Sequence, residues 1–149
     1  MLYKNKTFLL LSLYIIFSFF PTSSNSDTKP RKLIGLFQVF DAGTITSNGV
    51  VYKIKNITTP TARQKCKRGA LPWLCGAAAK KFLSTIIRNK ILKCAVMKRN
   101  QVQCFLEGRD LSVLLIKNGW AVSMNNNKNS KAAETHARKQ ELGMWKKAN

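Results

Sequence analysis

Carboxylates are scarce in this 149-residue chain, which has six Asp and Glu against 26 Lys and Arg, and a single histidine. A hydrolase that builds a hard-cation site or a general base from carboxylates must find them among Asp27, Asp41, Glu107, Asp110, Glu134 and Glu141. Those six are scattered over an N-terminal lead-in, two turns and a C-terminal helical stretch. His136 falls on the polar side of that helix, where a solvated ring is expected rather than a catalytic one. No C-x-x-C spacing occurs, so Cys66, Cys75, Cys94 and Cys104 do not read as a zinc site. No apolar run reaches the roughly 20 residues a helix needs to span a bilayer.

The longest apolar run, Phe8 to Phe20, follows Lys4 and Lys6 and precedes Ser24-Asn25-Ser26, the arrangement of an export signal over residues 1–26. The alternative is a retained anchor, since the cleavage site lacks alanines. Removal leaves 24 basic against six acidic residues, a net charge of +18 on the mature domain, residues 27–149. Such a field attracts nucleic acid, anionic lipid or acidic polysaccharide without choosing among them. Four cysteines in an exported chain imply two disulfides. Three pairings are possible. Cys66 with Cys75 and Cys94 with Cys104 are favoured, because the first closes a short loop and the second flanks a hairpin. Periplasmic or secreted location and a monomer with no stable membrane span are the expectations.

The stretch from Asp41 to Thr61 organises the chain. Thr44 to Ser47 and Val50 to Ile57 read as strands joined at Asn48-Gly49, a strong hairpin signal. Asp27 to Lys32 is a polar lead-in, and Leu33 to Phe40 has strand composition. Arg63 to Leu71 reads as a basic loop. Apolar residues from Gly76 to Arg88 recur at helical spacing. Ile91 to Met97 and Gln101 to Leu106 form two more strands. Short helices follow over Leu111 to Asn118, closed by Gly119, and over Lys131 to Leu142, capped by Gly143, with a polar loop from Asn125 to Ser130 between them. The expected class is α+β, with five strands and three helices; this pattern fits a small partly open barrel and also other mixed folds.

The hairpin followed by Thr58-Thr59-Pro60, then W-x-C-G at Trp73 to Gly76, G-R-D-L at Gly108 to Leu111, Gly119-Trp120-Ala121 and Gly143-Met144-Trp145, resembles the thermonuclease (staphylococcal nuclease-like) family. The resemblance runs from Asp41 to Trp145 and implies an OB-type five-stranded barrel that hydrolyses phosphodiesters with a divalent metal. It also implies that the chemistry has been lost. Asp41 and Thr44 match the first aspartate and the threonine of the family's D-G-D-T turn, but Gly43 stands at its metal-binding aspartate and Thr58 at the second metal aspartate. Thr59 retains only a carbonyl. Thr61 replaces the general base, and a hydroxyl does not accept a proton near neutral pH. Lys53 takes the place of one phosphate-gripping arginine, keeping charge without the bidentate fork, and Arg99 stands in for the other.

The resemblance therefore implies no metal at Asp41, Gly43, Thr58 and Thr59 and no working set at Lys53, Thr61 and Arg99; calcium or magnesium would matter only to an active site. The expected function is binding of nucleic acid or another polyanion by Lys53, Lys55, Arg63, Lys65, Lys67 and Arg68, with Trp73 a candidate for base stacking. The alternatives are a metal-dependent nuclease and an exported factor that binds a host or partner protein.

Overall fold

Asn48 and Gly49 both adopt positive φ, 49° and 74°, the backbone that a two-residue hairpin turn requires. They join strands β3 (Thr44–Ser47) and β4 (Val50–Ile54) in a computed structural model that describes residues 30–147. The expected export signal over residues 1–26 lies outside the described residues. The single strand expected from Leu33 to Phe40 is two, β1 (Arg31–Gly35) and β2 (Gln38–Asp41), separated by Leu36 and Phe37. The strand expected to run on to Ile57 stops at Ile54, where Asn56 turns with φ 63°, and resumes as β5 (Ile57–Thr58).

Two further strands, β6 (Cys66–Arg68) and β7 (Leu71–Trp73), pair antiparallel, the first inside the expected basic loop Arg63 to Leu71 and the second running from its end. Helix α1 (Cys75–Ile87) follows, then β8 (Leu92–Val96), β9 (Gln101–Leu106), β10 (Arg109–Asp110), α2 (Leu111–Lys117), β11 (Val122–Ser123) and α3 (Lys128–Lys139). Helix α3 starts earlier than Lys131, because the Asn127 carboxamide accepts the N–H of Ser130 and caps it.

The main sheet runs β1-β8-β9-β4-β3-β2, with β10 beside β9 and β4 parallel to β9. Its two ends, β1 and β2, are consecutive in the chain, so the sheet curls. The described residues thus form a mixed α+β fold, a curled sheet with three α-helices. Alternation places Ile45, Tyr52, Ile54, Leu92, Cys94, Val102, Cys104 and Leu106 inside. Leu83 and Ile87 of α1 and Leu111, Leu115 and Ile116 of α2 complete that core. Tyr52 is buried, and its hydroxyl accepts a hydrogen bond from Arg31 Nη2 at 3.0 Å.

The tryptophan signatures have a backbone explanation. Gly119 (φ 75°) ends α2 against Leu142, where a Cβ would lie 2.1 Å from the Leu142 carbonyl oxygen. Gly143 sits against Gly119 in turn, and the Met144 N–H donates to the Gly119 carbonyl at 3.0 Å. The C-terminal segment is thus clasped to α2 through two positions where no side chain fits. Glu134 ties α3 to β11, accepting from the Ser123 N–H and from Arg138. Burial pushes its carboxyl up, but those donors outweigh burial and hold it below the ordinary 4.5. Its contribution to stability is therefore present above that value and lost as the pH falls below it.

Both expected disulfides are present. Cys66–Cys75 staples the β6–β7 hairpin to the start of α1, and Cys94–Cys104 links directly opposed residues of β8 and β9 with Cα atoms 4.0 Å apart. Each closes a short loop, with sequence separations of 9 and 10. The chain-entropy relation gives about 2–3 kcal/mol for loops of that length. Non-reducing peptide mapping is expected to recover these two pairs, and reduction to lower the unfolding free energy accordingly. Free thiols in the oxidised protein, or a crossed bridge, would contradict this.

Candidate functional site

The β3–β4 hairpin and the turn out of β5 enclose a cavity of about 300 Å³ lined by Asp41, Gly43, Thr44, Lys53, Ile57, Thr58, Thr59, Pro60, Thr61 and Met124. Register explains the gathering. Thr44 lies opposite Lys53 across β3 and β4, and the Ile54 N–H donates to the Gly43 carbonyl at 2.9 Å, holding the Asp41–Gly43 turn beside the strand. Pairing of β11 with β5 brings Met124 to the rim, and its N–H donates to the Asn56 carbonyl. Met124 was invisible as a site residue from sequence, since a two-residue strand pairing leaves no periodic signal.

Of the residues assigned to a lost metal and base site, the structure brings together Asp41, Gly43, Thr58, Thr59, Thr61 and Lys53. Arg99 is not among them. It occupies the exposed turn Lys98–Asn100 with φ 58°. Lys55, Arg63, Lys65, Lys67 and Arg68 also lie off the cavity wall, so of the expected basic surface only Lys53 lines it.

The lining does not fit a divalent cation. Asp41 is its one carboxylate, and Asp41 Oδ1 already accepts the Gly43 N–H at 2.9 Å. A hard cation needs several oxygens carrying enough negative charge to offset dehydration, and threonine hydroxyls do not supply it. No group of three or more His, Cys, Asp and Glu side chains stands together among the described residues. Position 43 is also crowded by the Thr59 side chain. A Cβ there would sit 2.7 Å from Thr59 Oγ1 and 3.2 Å from its Cγ2.

A prediction follows from that contact. Gly43→Ala should destabilise the fold by about 1–3 kcal/mol through overpacking, and Thr59→Ala in the same chain should recover most of the loss. For the same reason the triple change Gly43→Asp, Thr58→Asp and Thr61→Glu should bind calcium measurably in calorimetry only when Thr59→Ala is added. Denaturant titration reads the first effect; calcium binding by the triple variant alone would contradict the second.

The basic segment continues directly from the cavity wall. Thr61 and Gln64 close a turn, Gln64 N–H to the Thr61 carbonyl at 2.9 Å and Thr61 N–H to Gln64 Oε1 at 3.1 Å. Gly76 at the start of α1 packs so closely on this turn that a Cβ would overlap the Thr61 carbonyl oxygen, at 1.7 Å. Arg63, Lys65 and Lys67 are exposed beyond it. Arg68 is not free in the same sense: its guanidinium lies 4.6 Å from the centre of the Trp73 ring, with Nε buried. Trp73 is in turn edge-on to Trp120 at 6.2 Å. One face of Trp73 is therefore taken by Arg68, and base stacking there would require Arg68 to move.

The other carboxylates among the described residues are engaged within the fold. Glu107 accepts from Lys90 and Arg109, Glu141 pairs with Lys147, and Asp110 caps α2 through the N–H groups of Ser112 and Val113. Among the described residues only Lys90, Arg109, Arg138 and Lys147 are in ion pairs. Lys53, Arg63, Lys65 and Lys67 are exposed and are in none of these pairs.

No protein-family model matches the chain, and no curated protein is significantly similar to it.

Proposed function

We propose that the protein is an exported polyanion-binding module, a thermonuclease-like barrel of OB type that holds nucleic acid without cutting it. One observation carries this reading: the cavity combines Lys53 with uncharged threonines and a single carboxylate already bonded to Gly43. Such a lining can accept a phosphate, and it lacks the ligands and the base that metal-assisted hydrolysis needs. Two features support the barrel. The ends of the strand path are consecutive segments, and counting β1 and β2 as one bent strand leaves five main strands, with β4 and β9 parallel. Barrels of this type commonly bind oligonucleotides on an open face.

The test is single-stranded DNA binding by the wild type and two variants. Replacing Lys53, Lys65, Lys67 and Arg68 with glutamine should weaken all sequences alike. Replacing Lys146 and Lys147 should matter less, since Lys147 is already paired with Glu141 at 2.7 Å. Equal losses would mean a diffuse charge cloud, and no binding in low salt would remove the nucleic-acid reading.

A further inference from the structure

Between Asp41 and Glu107 the chain has no carboxylate, and the β6–β7 hairpin lies in the middle of that stretch. Its register pairs Cys66 with Trp73, Lys67 with Pro72 and Arg68 with Leu71. Opposed residues share a face and successive residues alternate. Cys66, Arg68, Leu71 and Trp73 therefore share one face, where Cys66 is bridged to the start of α1 and Arg68 lies over Trp73. Lys67 and Pro72 share the other and are exposed, with exposed Lys65 and Leu74 flanking them. Leu71, beside the tip, is 75% exposed and Leu74 is 51% exposed.

Phosphate binding explains the lysines of this hairpin but not the leucines. A disulfide-bridged hairpin that shows leucine and proline to solvent, flanked by Lys65 and Lys67 in a stretch of sequence without acids, has the composition of an element at the water boundary of an anionic bilayer. There lysines meet the headgroups while apolar side chains reach the acyl boundary. We infer that the stapled hairpin docks on anionic lipid surfaces, with Leu71 and Leu74 entering the interface and Lys65 and Lys67 holding the headgroups. Charge complementarity selects the lipid, and the Cys66–Cys75 bridge holds the hairpin in shape before contact, so little ordering is required on docking.

The experiment uses the full chain carrying Leu71→Trp, with vesicles of phosphatidylcholine alone or mixed with phosphatidylglycerol, each also made with brominated acyl chains. Fluorescence beyond that of the wild type reports on the hairpin itself, whatever the N-terminal segment does. The added signal should shift to the blue and be quenched by brominated phosphatidylglycerol vesicles, and not by neutral ones. Lys65→Gln with Lys67→Gln should weaken that response about tenfold to thirtyfold. Leu71→Ser with Leu74→Ser should leave oligonucleotide affinity unchanged. An unquenched signal on anionic vesicles, even if the chain sediments with them, would overturn the inference. So would equal quenching by neutral vesicles, or a loss of oligonucleotide binding in the leucine variant.

Discussion

A tenfold rise in salt should weaken binding of single-stranded DNA about 3,000-fold, because without a bound metal the affinity must come from cations displacing condensed counterions. Each phosphate contact to a single strand contributes a slope of about −0.7 in log K against log salt. Of the six residues of the expected basic surface, Arg68 is committed to the Trp73 ring. The remaining five, Lys53, Lys55, Arg63, Lys65 and Lys67, give a slope of about −3.5. The glutamine variant at Lys53, Lys65, Lys67 and Arg68 keeps two of those five and should fall to about −1.4. Fluorescence anisotropy across a salt series reads both slopes. An unchanged slope in the variant would move the site elsewhere on the protein.

The second large effect concerns Gly76, and here the sign is informative. At an ordinary helical position, glycine to alanine stabilises by up to about 1 kcal/mol. A Cβ on Gly76 would lie 1.7 Å from the Thr61 carbonyl oxygen and 2.8 Å from its carbonyl carbon, and backbone cannot rotate aside as a side chain can. Gly76→Ala should therefore destabilise by about 3 kcal/mol or more, a large part of the 5–15 kcal/mol typical of a domain. The turn that must yield, Thr61 to Gln64, joins the cavity to the basic hairpin, so oligonucleotide binding should weaken in protein that still folds. Ala77→Gly next to it, at an exposed position, should lose only about 1 kcal/mol. Thermal and denaturant melts of the two variants make the comparison. A stabilised Gly76→Ala would contradict the packing described here.

Much of this was legible in the sequence, for physical reasons that differ by element. Asn48-Gly49 announced its turn because few residue pairs take left-handed backbone at two successive positions. Helix α1 was legible because Ala79, Leu83 and Ile87 repeat at helical spacing on a buried face. The β6–β7 hairpin was not: Lys67 and Pro72 face solvent, and a strand without apolar alternation resembles a loop. Nor was the early start of α3, because Lys128, Asn129 and Ser130 look like more of the polar loop before them, although Ser130 is buried. Of the site, the residues near Asp41 to Thr61 could be placed together because they lie within one hairpin and its exit. Arg99, matched to the site only through the resemblance, does not line the cavity, and Arg68, expected on the basic surface, lies over Trp73. Sequence order carries no information on which side chains line a cavity or on a guanidinium stacked over an indole.

The most direct measurement incubates the purified protein with single- and double-stranded DNA and RNA, with calcium or magnesium added, and follows complex formation and strand length in the same samples. The account predicts retarded complexes at low salt whose nucleic acid, once the protein is stripped away, is full length. Cleavage that persists through removal of contaminating nuclease and vanishes on chelation would contradict it, and would mean that the cavity beside Asp41 and Lys53 recruits a metal through ligands its lining does not offer.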